Sequence, residues 1–271
     1  MFGVKDHQLQ DKISIAYNKL GNCGHLGNQM FQYSCLVACA NRMNANAVCP
    51  QSSKFSYDCR SHISDCFKLG YAKDGMLQSG SVFSDYGFIF NPKITSLSVD
   101  TSWMLEGYFQ TEKYFEDCRD IIKNEFTFKQ EIIDRSNHTK LNPTDKVAIH
   151  IRRDDYLHAS NVHPFPGDLY YEKAITYFPN SEFLVISDDI EWCKHSNLFK
   201  GSNFSFSGND PYVDMYLMTE CDGHILSNST FSWWGSWLSE SKKQTVAPKR
   251  WFGPQGPSDW NDIYNKDWIL I

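Results

Sequence analysis

Short apolar runs alternate with longer mixed segments along most of this chain, and their periods are those of strand and helix. Ile13–Tyr17 (ISIAY) predicts a strand, followed by a glycine-containing turn, NCGHLG. Behind the turn, NQMFQYSCLVACANRM places apolar residues at Met30, Phe31, Cys35, Val37, Ala38 and Met43, which predicts a largely buried helix. Ala47–Cys49 reads as the next strand, and residues 50–100 show no usable pattern. Trp103–Phe109 predicts a strand and Glu112–Asn124 a helix. Residues 136–145 (SNHTKLNPTD) are polar and carry a proline, so they predict a linker. Beyond it the rhythm is plainer. Val147–Ile151, Glu182–Ser187, His224–Leu226 and Gln244–Ala247 read as strands. Tyr170–Phe178, Pro211–Cys221 and Phe231–Glu240 read as helices, the second opening on proline at its first turn. Strands alternating with helices predict an α/β fold with parallel sheets and a Rossmann-like layout, in which ligands bind beyond the carboxyl ends of the strands. No internal repeat interrupts this order.

Composition narrows the class. The 271 residues allow two modest domains or one large one. With 26 basic and 32 acidic residues the net charge is −6, which argues against a surface built to grip nucleic acid but leaves room for a small anion held by local arginines. Aromatic residues reach 15%, enough to fill cores or to line a sugar or base pocket. Nine cysteines are scattered with no CxxC pair, so the reading is reduced, mostly buried thiols, no zinc site and a cytoplasmic setting. Residues 1–20 lack the apolar core of a signal peptide, and no apolar run approaches the ~18 residues of a membrane span. The expectation is a cytoplasmic protein, at most peripheral to the inner membrane.

Three constellations carry candidate chemistry. His150-Ile151-Arg152-Arg153-Asp154-Asp155-Tyr156 stands where a strand leaves the sheet. Paired guanidiniums offer forked donors that match phosphate oxygens, and a diphosphate leaving group is the natural partner; a surface salt-bridge cluster is the plain alternative. Gly24-His25-Leu26-Gly27-Asn28-Gln29 is a glycine turn ahead of a helix N-terminus that can face an anion, or a tight turn with Asn28 as helix cap. Ser227-Asn228-Ser229-Thr230-Phe231-Ser232-Trp233-Trp234 gathers small polar groups at a strand-to-helix junction: ligand donors, or a cap ahead of a tryptophan-packed core. Its Asn228 sequon, like those at Asn137 and Asn203, is read as chance. Ser187-Asp188-Asp189 and Glu106-Gly107-Tyr108-Phe109-Gln110 put further polar groups at strand ends. No Asp-x-Asp element is present, so arginine rather than metal would neutralise phosphate.

Taken together, GHLGNQMFQY, LEGYFQTEKYF, HIRRDDY and DMYLMTECDGHILSNSTFSWWGSWL resemble, in order from residue 24 to about residue 238, the motifs of the α-1,2-fucosyltransferases of glycosyltransferase family 11. The resemblance implies a GT-B fold of two facing Rossmann-like domains, residues 1–140 on the acceptor side and 141–271 holding the donor. It implies GDP-fucose as donor and a galactose-containing glycan or lipid-linked oligosaccharide as acceptor. Transfer to the galactose 2-hydroxyl would be inverting and independent of metal or cofactor. Carried over residue by residue, Arg152 would contact the β-phosphate with His150 and Arg153 in support, and Asp155 matches the motif's aspartate. The Gly27 backbone and Asn28 would close on the diphosphate from the other domain, while Asp188, Asn228, Ser229 and Thr230 would contact nucleotide or phosphate. His25, Glu106 and Gln110 are acceptor-side candidates, and Asp155, Glu106 and His25 are the candidates for a general base. Asp154 stands where the family commonly has glycine, and His25 where it has glycine or arginine.

The rival readings are a fucosyltransferase of another linkage on the same scaffold and a non-catalytic binder of nucleotide or glycan. The missing Asp-x-Asp element makes a direct prediction: transfer proceeds at full rate in excess chelator. A strong loss restored by added divalent metal would show that inference wrong.

Overall fold

The structure is a computed structural model that describes residues 12–51, 62–139, 141–240 and 243–271. Most of the leader reading of residues 1–20, and Cys59, lie outside the described residues. The first half runs β1 (Ser14–Ala16), α1 (Leu26–Arg42), β2 (Asn46–Cys49), the single turn α2 (Ile63–Cys66), β3 (Lys73–Asp74), β4 (Ser81–Asp85) and β5 (Trp103–Gly107). Two further helices, α3 (Arg119–Glu125) and α4 (Gln130–His138), lead to the second half. There β6 (Lys146–Ile151), α5 (Asp168–Ile175), β7 (Glu182–Ser187), α6 (Ile190–His195), β8 (Phe204–Ser207) and α7 (Pro211–Thr219) come first. They are followed by β9 (Gly223–Ile225), α8 (Thr230–Leu238), β10 (Thr245–Ala247) and β11 (Ile269–Leu270).

The strands form two parallel sheets, ordered β3-β2-β1-β5-β4 and β11-β10-β9-β6-β7-β8. Strand β6 (KVAIHI) is buried from Val147 to Ile151, as a central parallel strand covered on both faces must be. In each sheet the winding direction reverses beside one strand, at β1 between β2 and β5 and at β6 between β7 and β9. Such a reversal leaves a crevice at the carboxyl ends, because the chain departs to opposite sides.

Both crevices open toward each other because α1 packs on α8. Phe31 of α1 lies 4.5 Å from the Trp233 ring and 4.9 Å from the Trp234 ring, centroid to centroid. The Trp234 indole N–H donates to the Gly27 carbonyl at 3.0 Å. Trp233, Trp234 and Trp237 are buried, so the tryptophans pack a core, and that core runs continuously from one sheet to the other. The eight cysteines among the described residues are all free thiols. No helix of the described residues is long and apolar enough to cross a membrane.

Two segments differ from the sequence expectation. The single helix read at Glu112–Asn124 is broken into 3-10 turns at Glu112–Tyr114 and Glu116–Cys118 before α3 begins. Phe115 leaves helical geometry (φ −143°) to stack its buried ring on Trp234 at 5.4 Å, and tertiary packing overrides the local pattern. The linker read at 136–145 begins late: Ser136–His138 belong to α4, whose buried Ile132 and Ser136 lie one turn apart where that helix packs on α7. The unpatterned stretch 50–100 holds α2, β3 and the exposed edge strand β4, elements too short or too solvated to show a period.

Gly27 is where the two halves come closest. A Cβ there would lie 2.5 Å from the Thr230 carbonyl carbon and 2.7 Å from the Phe231 nitrogen, both backbone atoms at the start of α8. Gly27→Ala is therefore expected to lower stability by about 1–3 kcal/mol through overpacking. A urea midpoint equal to that of the unaltered protein would show that the contact is slack.

Candidate active site

Between the sheets lies a cleft of about 620 Å³, large enough for a nucleotide sugar. Its walls come from the loops after β1, β4, β5, β6, β7, β8, β9 and β10 and from the first turns of α1, α7 and α8. Neither α1 nor α8 has an acidic residue in its first turn, so two partial positive charges meet at one place. That is the electrostatic setting of an anion site.

Asn28 ties the halves together there. Its Oδ1 accepts from Gln110 Nε2 at 3.0 Å and from Thr230 Oγ1 at 2.9 Å. The cap position of α1 belongs to His25, so Asn28 is not the helix cap that one reading of the sequence made it; it sits inside the first turn and points across. Gly24 has φ +85° and lies against the Asn28 side chain, where a Cβ would come within 2.0 Å of Nδ2. Ser229 caps α8, its hydroxyl accepting from Phe231 N.

Arg152 leaves the carboxyl end of β6 into the same cleft. Its Nη2 pairs with Asp155 at 2.8 Å and its Nε with Asp188 at 3.3 Å, while the guanidinium lies 5.6 Å from the Tyr156 ring centroid. The two ion pairs engage one edge of the guanidinium and fix its direction in the cleft. Burial pushes the Asp155 carboxyl up, but Arg152 outweighs it and holds Asp155 below its ordinary value. At Asp188 burial wins and the carboxyl is raised, although Arg152 and the Arg153 backbone N–H, 2.9 Å away, oppose it. His150 is buried, bonded through Nδ1 to Ser227 Oγ at 2.9 Å and stacked on Phe231. Burial, helped by Arg152, pushes its imidazole down to about 3, so it stays neutral beside the guanidinium and fixes the strand end.

The cleft lining brings together Gly27, Asn28, His25, Gln110, His150, Arg152, Asp155, Asp188, Asn228, Ser229 and Thr230. Arg153 and Glu106 are not part of it. Arg153 pairs with Asp189 at 3.1 Å and lies flat on Trp192, 4.0 Å from the ring centroid, behind the strand end. Glu106 pairs with Lys19 at 2.7 Å. Asn228 is 1% exposed and its Nδ2 donates to the Pro164 and Trp251 carbonyls, at 3.0 and 2.8 Å. It pins two loops, and a glycan could not reach it.

Tyr156 and Tyr108, named in sequence only as members of their motifs, also line the cleft, and Asp214, Asn209, His163, Phe88 and Phe252 escaped the sequence reading. Asp214 left a trace, as the one acid among Val213, Met215, Leu217 and Met218, all buried in α7. It accepts from Ser207 Oγ, and Asn209 Nδ2 donates to that same hydroxyl at 2.6 Å. Asn209, His163, Phe88 and Phe252 left none, because they converge from segments far apart in the chain. Among the described residues no group of three or more His, Cys, Asp or Glu side chains is placed to hold a metal.

Comparison with known proteins agrees with this geometry. The profile described as Glycosyl transferase family 11 matches residues 2–271. An α-1,2-colitosyltransferase of Escherichia coli is 38% identical over 181 residues, 61% of each chain. The galactoside α-(1,2)-fucosyltransferase 1 of Bos taurus is 24% identical over 247 residues, 80% of this chain and 64% of that one. The matches thus span less than two thirds of either relative. The crystal structure of NodZ α-1,6-fucosyltransferase soaked with GDP-fucose superposes with a TM-score of 0.52 at 12% identity, over 85% of this chain and 93% of that one. At that identity the likeness establishes the fold, the GT-B arrangement of two facing α/β sheets.

Asp214 gives the cleft a pH signature. Burial, partly offset by the Ser207 and Asn209 hydrogen bonds, pushes its carboxyl up to about 7. The folded state therefore holds the proton more tightly than the unfolded chain, whose carboxyl has the ordinary value near 3.8. The resulting stabilisation is fully present below about pH 4 and is lost as pH rises toward 7. Asp214→Asn should gain on the unaltered protein across that window, by up to about 4 kcal/mol. Parallel stability–pH curves for the two proteins would contradict the assignment.

Proposed function

The chain belongs to glycosyl transferase family 11, and from that premise we propose that it transfers L-fucose from GDP-fucose, with inversion, to the 2-hydroxyl of a galactose residue in a glycan acceptor. The observation that carries this reading is the convergence of Arg152 with the N-termini of α1 and α8 on one cleft. An anomeric carbon losing a diphosphate builds positive charge on the sugar and negative charge on the leaving group. Catalysis then consists chiefly of fixed donors aimed at the phosphate oxygens in a site with little water.

In this reading Arg152, aimed by its ion pairs with Asp155 and Asp188, takes the β-phosphate. The Gly27 backbone, Ser229 and Thr230 receive the remaining oxygens at the two helix ends. Asp155 and Asp188 set the angle of the guanidinium, and His150 braces it without adding charge. Arg153, seated on Trp192, supports the turn from behind. Asp214, at the far wall, suits the paired N–H donors on the edge of a guanine. The acceptor hydroxyl attacks from the face opposite GDP, and its proton passes to Asp155 or His25, both of which line the cleft. The arginine and helix ends carry the phosphate charge without metal. A glycan or a lipid-linked oligosaccharide would meet this cleft from solvent or from a membrane surface.

The 38% identity to an α-1,2-colitosyltransferase favours a second donor. Colitose is fucose without its 3-hydroxyl, so the two donors differ by one group that the site either hydrogen-bonds or ignores. GDP release measured with GDP-fucose and with GDP-colitose, with and without a galactoside, decides between them. With the preferred donor, Arg152→Ala should lower turnover by at least about 100-fold while its melting curve stays cooperative. A folded Arg152→Ala protein with near-normal turnover would falsify the reading.

A further inference from the structure

The mouth of the cleft carries an aromatic cluster that the phosphate chemistry does not use. Phe88 and Tyr108 stack at 5.9 Å with 19° between their planes. Tyr86 meets Tyr108 edge-on at 6.1 Å, and Phe88 meets Phe252 edge-on at 4.6 Å. Phe88 and Tyr108 belong to the first half and Phe252 to the second, and all three line the cleft. Tyr86, at the outer edge, is 51% exposed. Phe88 and Tyr108 are only half-buried, and Phe252, 3% exposed, is the core residue that backs them, so part of two large rings stays open beside a polar cleft.

The backbone is strained to present them. Gly107 has φ +149°, and a Cβ there would fall 1.8 Å from the Asp85 carbonyl oxygen. Two residues on, Phe109 has φ +52°, a left-handed conformation that costs a bulky residue of order 1 kcal/mol or more. The turn is held by Tyr17, whose hydroxyl donates to the Gly107 carbonyl at 2.6 Å. It is also held by the burial of Phe109 between Tyr17 and Tyr114. Sending Phe109 inward sends Tyr108 out into the cleft. The Tyr108 hydroxyl makes no hydrogen bond to any described residue. A half-buried ring with an open hydroxyl, placed by a strained turn at the mouth of a cleft, fits a ligand better than it fits the core.

We propose that Tyr108 and Phe88, backed by the buried Phe252 and flanked by the exposed Tyr86, form the acceptor subsite, a shelf on which one face of a galactoside ring stacks. This rests on the transferase reading above and adds where the acceptor lies and what selects it. In a galactopyranoside the axial 4-hydroxyl leaves the C3, C4 and C5 hydrogens together on one face, and that apolar face suits an aromatic ring. Stacked by that face, the sugar keeps its 2-hydroxyl on the opposite edge, free to turn toward Arg152 and the donor. The 4-epimer, a glucopyranoside, lacks that continuous face, so the shelf discriminates between them through C–H contacts with no charge involved.

The test separates acceptor from donor. Methyl β-D-galactopyranoside and methyl β-D-glucopyranoside serve as acceptors in GDP-release kinetics, and GDP binding is followed by calorimetry. Tyr108→Leu and Phe88→Leu should each raise the galactoside KM about tenfold and shrink the preference over the glucoside, with GDP affinity within about twofold. Tyr108→Phe, which keeps the ring, should hold the galactoside KM within about threefold. An unchanged galactoside KM in both leucine variants would overturn the shelf. So would a loss of GDP affinity matching the loss of transfer, since the rings would then be stacking a base or supporting the fold. If the unaltered protein neither binds GDP nor releases it from either donor, the transferase reading itself falls, and the shelf with it.

Discussion

Everything in this molecule depends on the meeting of two helix ends. The first turn of α1 touches the first turn of α8 so closely that only glycine fits at position 27. Asn28 then bonds across to Thr230 and Gln110, joining three segments of the chain through one carboxamide oxygen. The Trp234 indole closes the contact from below by donating to the Gly27 carbonyl. Two N-termini held together bring two partial positive charges together, which is unfavourable until an anion lies between them. The fold maintains this arrangement with the apolar contacts of Phe31, Phe115, Trp233 and Trp234 beneath it, so the binding potential is built in before any ligand arrives.

Around that point the charged groups divide by environment. Arg152 is aimed by two carboxylates, and burial together with its charge keeps His150 neutral. A protonated histidine one residue pair away would compete for the same carboxylates; a neutral one bonded to Ser227 only stiffens the strand end. Arg153 has the same charge as Arg152 but faces the other way, onto Trp192 and Asp189, because successive residues leaving a strand point to opposite sides. The pair that reads as one motif in sequence thus has one member in the cleft and one holding the loop behind it.

The aromatic side of the cleft follows a different logic. There the contacts are apolar, the rings come from both sheets, and the turn at Gly107–Phe109 is strained to place them. A charged inner end and an apolar mouth match a donor that carries its charge in its leaving group and an acceptor that is a neutral sugar.

How far each layer could be read from the chain follows from the range of the forces involved. Strand and helix alternation, the parallel sheets it implies and the cluster at the end of β6 were legible because apolar period and strand-end chemistry are local, whereas the reversal of strand order in each sheet came from the structure. The ordered motifs from Gly24 to Leu238 brought the family within reach, since they record which side chains the site must hold. The motif put Arg152 on the phosphate and Arg153 in support, but sequence could not show that Arg153 lies back on Trp192 and Asp189 or that Glu106 pairs with Lys19 outside the cleft, because that depends on which partner each charge meets across the fold. Core packing of Trp233, Trp234 and Trp237 was the favoured reading and holds, but the same expectation of packing for the GYFQ segment fits Phe109 and not Tyr108, which a strained turn leaves half-buried on the cleft. Period thus determined that an α/β fold with parallel sheets would form, and the ordered motifs implied two facing domains with an anion at the strand ends. Only tertiary packing, through the fit of Gly27 against Thr230 and the turn at Phe109, decided how those ends face one another and what lines the space between them.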